Sequence, residues 1–545
     1  LAGYVESEHP EFLVNKLYYD AYKKDMTAGT YPDVRSGLQK LLKDGLLLFN
    51  YTGHGGTTAL SDEKVLTQTD INQFTYTHLP VWVTATCDFT RFDDLNTSAG
   101  EDVFLNKSSG GIALFTTVRV AYSRPNFPIN DNVIRNLFER NNGRRRTLGE
   151  VMQATKNTLS SVYKLGFCLI GDPAVKIAYP EFGMKVTTVN GQSVDGNSIS
   201  FKALEKITVE GEVLDASGQL VTDFTGIVNP TVKDSKVTVT CLKNSNKDDS
   251  PAFTFTDYPN TIFIGNDSVR NGKFSFTFTV PKDISYSNLQ GKMNLYAVDT
   301  ESGNEAQGNF DNFIVGGTSD TAETDTIGPE IRALYLNDTT FVDGGQVNTT
   351  PYFVAELWDK SGVNITGSSV GHDMMLVIDE STVLSYNLNS YYELLPGEDG
   401  TGIVKFPIPA LEPGKHTAEF WVWDILNNST VRTFTFEVVE GLKPFLFDVI
   451  ATPGIAREQV TFHLMHNRPE SRMRVGIMVY DLAGRQLWKH EESGTSGLFE
   501  NYTVSWDLTS GGARMRPGVY IYRAAISTDN SKDATKARKF IILGE

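Results

Sequence analysis

A chain of 545 residues is far too long for one core and points to three to five domains. Its net charge of −17 excludes a nucleic-acid binder, which needs a basic surface, and disfavours simple electrostatic docking on anionic lipid. Three cysteines (Cys87, Cys168 and Cys241) are too few for a disulfide framework, and no apolar run reaches the roughly 18 residues that a helical membrane span requires.

The chain opens at Leu1 with no charged-then-apolar signal segment, and a helical pattern (Phe12, Leu13, Leu17, Tyr18, Tyr22) begins almost at once. It reads as a piece of a longer precursor whose first domain lacks its front. Phe12–Lys24 and Val34–Lys43 have helical spacing of apolar residues, and Leu46–Tyr51 reads as a strand. A short helix at Asp70–Phe74 leads to a second strand, Val81–Thr86. Ala99–Asn106 is helical, and Gly110-Gly111 turns into a third strand, Ile112–Phe115. Helices at Ile129–Glu139 and Leu148–Tyr163 follow, and Phe167–Pro173 ends the domain near residue 180. Alternating helix and strand predicts an α/β domain, a parallel sheet covered by helices, over residues 1–180.

Beyond about residue 181 the period changes to two. Ile207–Val213, Lys236–Thr240 and Lys273–Phe278 alternate faces without intervening helices, which predicts a β-sandwich over 181–320. The small, polar stretch Gly316–Ala322 reads as a linker. A second, Ig-like sandwich is expected over 321–442. In it, Leu357-Trp358-Asp359 and Val422-Trp423-Asp424 repeat one idea: an aromatic strand end, then an Asp suited to start a turn. A third all-β unit is expected over 443–545.

Two of the predicted parallel strands end in chemistry. Leu46–Phe49 runs into Asn50-Tyr51-Thr52-Gly53-His54-Gly55-Gly56, and Pro80–Val83 runs into Ala85-Thr86-Cys87-Asp88. The carboxyl ends of parallel strands are where open α/β sheets hold their sites. A thiol and an imidazole side by side there make a nucleophile with its base, because the thiolate attacks and the thiol alone is mostly protonated. Gly55 is able to offer a backbone N–H to an oxyanion, and the N–H of Cys87 is the second candidate donor.

These segments resemble the gingipain family of cysteine peptidases, and Leu169–Pro173 is similar to the stretch that closes the gingipain catalytic domain. The resemblance implies a caspase-like α/β fold, a Cys87/His54 dyad, and an oxyanion hole from the Gly55 and Cys87 amides. A narrower resemblance, to the signal-peptidase branch that serves type IX secretion, rests on Cys87–Asp93, Gly100-Glu101 and Thr117–Tyr122. It extends through Asp325–Glu330, Ser361–Asn364 and Gly371–Asp373. That branch implies a surface sortase that removes the C-terminal signal domain of exported cargo proteins and passes the cargo to an amine of anionic lipopolysaccharide. The partner it implies is the outer-membrane barrel PorV, in an attachment complex with PorQ and PorZ. Tyr480–Arg485, Val504–Asp507, Pro517–Tyr520 and Lys539–Ile542 are similar to type IX C-terminal signal domains, so the implied location is the cell surface, peripheral to the outer membrane. A gingipain-like peptidase that degrades host proteins, and a silent adhesin or scaffold, are the alternatives.

The remaining chemistry-bearing residues carry blander expectations. Cys168 and Cys241 are expected in the core, and His78 in a loop. His463 and His466 are three apart on a strand and so point to opposite faces, which argues against a shared metal. His372, beside Asp373, reads as a turn or interface histidine. Arg144-Arg145-Arg146 reads as a solvated loop, with docking to a phosphorylated glycan as the sharper alternative. Asp88 and Glu101 are candidates to support His54 or to bind an amine. Acidic loops such as Asp93-Asp94 have the chemistry of calcium ligands but not EF-hand spacing, and no cofactor is required.

Overall fold

The computed structural model describes all residues except 75, 77, 108, 142, 245–249, 320–324, 368–370, 396–399, 529–530 and 544–545. Residues 1–180 build a four-stranded sheet from β1 (Leu48–Thr52), β2 (Val81–Ala85), β3 (Ala113–Thr117) and β4 (Phe167–Ile170), in that spatial order. The first three strands are parallel. β4 is antiparallel to β3, so the sheet is mixed at this edge rather than wholly parallel. The chain reaches β4 through a short helical turn, Val162–Gly166, which returns it along the last strand in the opposite sense.

Both faces of this sheet are covered, and the strand residues divide between them by alternation. Trp82 and Leu114 join α2 (Pro32–Asp44), α3 (Gln68–Gln73) and α4 (Ala99–Leu105) in one core. Val81, Val83, Ala113 and Phe115 join α5 (Ser123–Phe138) and α6 (Leu148–Thr158) in the other. All five residues of β2 and of β3 are buried, which is the reason the sequence shows continuous apolar runs there. α2 starts with Pro32 in its first turn, buries Val34, Leu38 and Leu42 on one stripe, and stops at Gly45, whose φ of 100° suits glycine. Capping boxes open α3 (Thr67/Asp70), α4 (Ser98/Glu101) and α6 (Thr147/Glu150).

The segment 12–24 departs from its helical pattern. The helix α1 lies earlier, at Ala2–Glu8, and only Tyr19–Ala21 makes a short turn in the segment itself. Its side chains are called in different directions: Phe12 packs on Phe138 and Tyr179, Tyr18 packs on Phe255, and Lys16 donates to the Thr256 carbonyl. A helix would gather these side chains on one stripe, and an extended strap lets each reach its own partner.

Within residues 182–318 the strands of the larger sheet form a closed ring. Phe182 and Gly183 pair with Ala306 and Gln307, which joins the first strand of the sheet to the last. A β-sandwich is the expectation for this stretch; the larger sheet closes on itself, and residues of the smaller sheet, Phe201 and Val315 among them, share its core. In that smaller sheet Ile199–Ala203 pairs with Phe313–Thr318, so the front of the stretch read as a linker is a strand. The end of that stretch lies outside the described residues. Residues 330–438 form a four-stranded and a five-stranded sheet around one core, and residues 446–542 a three-stranded and a five-stranded sheet around another. Among the described residues, no helix is long and apolar enough to cross a membrane.

Candidate active site

β1 and β2 run in parallel register from Leu48↔Val81 to Thr52↔Ala85. His54 and Cys87 each stand two residues beyond that last pair. The two loops that follow are in contact. A methyl group on Gly55 would stand 2.5 Å from Thr86 Oγ1 and 3.3 Å from the Ala59 carbonyl, so only a glycine fits between the histidine loop and the residue before Cys87. His54 is exposed and Cys87 is half-buried.

The loop after β1 is folded back on itself. The Tyr51 hydroxyl donates to the His54 carbonyl at 2.6 Å, and the Ser61 N–H donates to the same oxygen at 2.8 Å. Gly53 makes room for this, since a methyl group there would lie 2.7 Å from the Tyr51 hydroxyl. On the back of the strand, buried Asn130 of α5 donates to Thr52 Oγ1 at 2.8 Å and accepts from Asn50 Nδ2 at 2.7 Å.

The loop after β2 is held by buried threonines. Thr84 Oγ1 and Thr90 Oγ1 each lie 2.8 Å from Thr116 Oγ1, and Thr117 Oγ1 donates to the Thr86 carbonyl at 2.7 Å. The Thr90 N–H donates to the Thr117 carbonyl at 3.1 Å, and the Asp88 N–H to the Arg119 carbonyl at 3.3 Å. The Cys87 thiol donates to the Ala121 carbonyl at 3.2 Å and receives the Ala121 N–H at 3.4 Å. α4 closes in on this loop: a methyl group on Gly100 would meet Thr90 Oγ1 at 1.9 Å. The Ala99 N–H reaches back to the Thr57 carbonyl at 2.6 Å, so α4 is fastened to both loops.

The two proposed supporting carboxylates are placed differently. Asp88 follows Cys87 with φ of 48°, in the left-handed region, which turns the chain sharply after the cysteine. Glu101 accepts from the Ser98 N–H at 2.8 Å and from its hydroxyl at 2.6 Å, so its described role is to cap α4.

Other candidates resolve into structural roles. Each guanidinium of Arg144, Arg145 and Arg146 meets a carboxylate, of Glu150, Glu181 and Glu139 respectively, which leaves the cluster a poor anion site. The Arg119 guanidinium grips Asp93 with two bonds and holds its carboxyl below the usual carboxylate range. His372 meets Asp283 at 2.7 Å across the junction of two β modules, and not its neighbour Asp373. His78 packs against Gly45 before β1. Cys168, on β4, is a half-buried free thiol, and Cys241 is a buried one that burial pushes above the usual thiol range. His463 is half-buried on the strand Val460–His466, and His466, at its end, accepts the Arg468 N–H on Nδ1.

One convergence escaped the sequence reading. The carboxylates of Asp325, Asp359 and Asp424 come within 4.8 Å of one another, a donor set of the kind that suits a hard cation. Asp359 and Asp424 do start turns, accepting from Ser361 and Gly362 and from Leu426 and Asn428. Burial raises the pKa of both, that of Asp359 to about 6. The repeated Trp-Asp pair was the available signal; the third member, Asp325, follows a stretch with no pattern to mark it.

Dimeric latent PorU from Porphyromonas gingivalis is 34% identical, over 95% of this chain and 47% of that one, with a TM-score of 0.34. The Arg-specific cysteine proteinase gingipain R is 18% identical, over 52% of this chain and 56% of that one, with a TM-score of 0.26. The complex of the RgpB pro- and mature domains from Porphyromonas gingivalis gives 19% identity, 52% and 57% coverage, and a TM-score of 0.24. The chain thus spans about half the length of the relatives it matches. No curated protein sequence matches it. Residues 1–178 match the model of peptidase family C25, and this part of the chain belongs with the gingipain-type cysteine peptidases.

Proposed function

We propose that the protein is a cysteine endopeptidase and transpeptidase in which Cys87 is the nucleophile and His54 its base and acid. The observation that carries this reading is the register of β1 and β2, with Gly55 packed on Thr86, since it sets a histidine loop against a cysteine loop at adjacent strand ends. In the resting arrangement the thiol proton is directed at the Ala121 carbonyl. His54 takes that proton as Sγ attacks a peptide carbonyl, and the oxyanion is met by the Gly55 and Cys87 amides. Collapse of the adduct breaks the C–N bond, and the imidazolium returns its proton to the leaving amine. The thioester left on Cys87 is resolved by water or by a second amine, whose proton His54 accepts in turn.

The segments around Cys87 and in the last module favour the type IX branch of the family. On that reading the substrate is exported cargo bearing a C-terminal signal domain, the acceptor is an amine of anionic lipopolysaccharide, and the site works at the cell surface with PorV as its membrane partner. The test is mass spectrometry of cargo incubated with the full chain, with and without an added amine. Hydrolysed product without the amine and amide product with it are expected, and both should be lost in Cys87→Ala. Normal processing by that variant would sink the proposal; hydrolysis that ignores the amine would remove the transpeptidase part of it.

A further inference from the structure

We propose that Tyr51 is a positioning residue for the His54 loop, and that the strap Tyr19–Lys24 links that position to the seating of the neighbouring β module. The inference rests on the dyad reading above and adds to it the residues that hold the histidine in place.

The path is continuous. The carbonyl of His54 receives two donors, the Tyr51 hydroxyl at 2.6 Å and the Ser61 N–H at 2.8 Å. Both donors are constrained. Tyr51 is 9% exposed, and burial together with the neighbouring Tyr19 phenol pushes its ionisation far upward, so it remains a donor at any working pH. Ser61 is buried with φ of 62°, a strained value for serine, and so depends on its surroundings to stay there. Tyr19 stands beside both of them. Lys24, at the far end of the strap, grips Glu63 at 3.0 Å, just beyond Ser61.

The other side of the strap is clamped to the module that follows. The Asp20 carboxylate accepts the N–H of Lys243 at 2.9 Å and of Asn244 at 2.8 Å, and the Asn244 side-chain amide at 3.0 Å. The Asp20 carbonyl accepts the Leu242 N–H at 2.7 Å, and the Tyr22 carbonyl accepts Asn244 Nδ2 at 2.9 Å. Charge-assisted bonds from one carboxylate to three donors are strong and directional. Tyr19, which touches the histidine loop, and Asp20, which holds the module, are consecutive residues, so neither contact can shift without disturbing the other.

The experiment is site-resolved alkylation of Cys87 by iodoacetamide in the full chain, followed by mass spectrometry across a pH series, with Cys168 as the internal reference thiol. Tyr51→Phe keeps the ring and removes one hydroxyl. It should slow alkylation near pH 6.5 about fivefold, the worth of one net hydrogen bond, and move the pH midpoint at Cys87 but not at Cys168. Asp20→Ala should act in the same direction, roughly twofold, and the double variant should be no slower than Tyr51→Phe alone. A Tyr51→Phe profile that superimposes on the parent, or single effects that multiply, would overturn the inference. If His54→Ala also leaves the Cys87 profile unchanged, the dyad falls and takes this inference with it; if His54→Ala alters the profile and Tyr51→Phe does not, only the positioning role is lost.

Discussion

Thr52 and Ala85 face one another as the last paired residues of β1 and β2, and the chain runs on by the same two residues from each, to His54 and to Cys87. The strand pairing ends there, and the two loops beyond it meet at Gly55 and Thr86. The glycine between them decides how close the two loops come. Gly55→Ala should therefore be costly: its Cβ would lie 2.5 Å from Thr86 Oγ1, and separating the loops would disturb the proposed dyad. We expect a stability loss of about 2 kcal/mol and at least a hundredfold loss of peptidase activity, because small misplacements cost that much. Gly56→Ala is the control, since nothing stands within 4 Å of its added methyl. Thermal melts and turnover on both variants check this, and equal activity of the two would contradict it.

The threonines beneath Cys87 separate into paired and unpaired hydroxyls. Thr90 Oγ1 shares a hydrogen bond with Thr116, whereas buried Thr86 Oγ1 makes none among the described residues. Thr90→Val should destabilise the protein by about 1–2 kcal/mol. Thr86→Val should leave stability unchanged or raise it slightly, as it removes a desolvated hydroxyl that has no partner. Denaturant midpoints of the two variants measure the difference, and a larger loss at Thr86 would show that its hydroxyl is engaged.

Much of this region is legible in the sequence because local and global signals agree there. Val34, Leu38 and Leu42 mark α2 by spacing, and β2 and β3 show continuous apolar runs because both their faces are covered. The strap misleads because its apolar residues have helical spacing but separate partners: Phe12 meets Tyr179 in its own domain, whereas Tyr18 meets Phe255 in the next module, which Lys16 and Asp20 also reach. The helical spacing from Ile129 misses the front of α5, which starts at Ser123 and carries Pro128 inside it. Closure of the ring at Phe182 and Ala306 joins segments over a hundred residues apart, and no local pattern encodes such a pairing. At the site, strand ends and glycines point to His54 and Cys87, whereas the carbonyl contact from Tyr51 depends on a side chain doubling back over Gly53.

Asn130 ties the histidine strand to α5 from behind. It is fully buried, donates to Thr52 Oγ1 and accepts from Asn50 Nδ2. Asn130→Leu keeps most of the volume but strips both strand residues of their partner, for an expected loss of about 2–3 kcal/mol. Asn50→Ala alone removes one of those partners and should cost less. Chemical denaturation of the two variants ranks them, and the reverse order would mean that the Thr52 contact contributes little.

The last module carries a built-in pH dependence. His466 receives the Arg468 N–H on Nδ1 at 3.0 Å, so its proton sits on Nε2, which faces Ser496 Oγ at 2.8 Å. Burial first, and then the Arg468 charge, lower its pKa to about 4. In the unfolded chain a histidine titrates near 6.5, so between about pH 6.5 and pH 4 the unfolded state binds the extra proton. Stability is therefore complete above the unfolded value and is lost as pH falls toward the folded one, by on the order of 2 kcal/mol. Hydrogen exchange in peptides from 460–466 and 502–506, corrected for intrinsic rates, should quicken at least tenfold from pH 7 to pH 5. His466→Gln, which does not titrate, should flatten that response while leaving the exchange of residues 1–180 as it was. An unaltered acid response in the variant would assign the effect to another group.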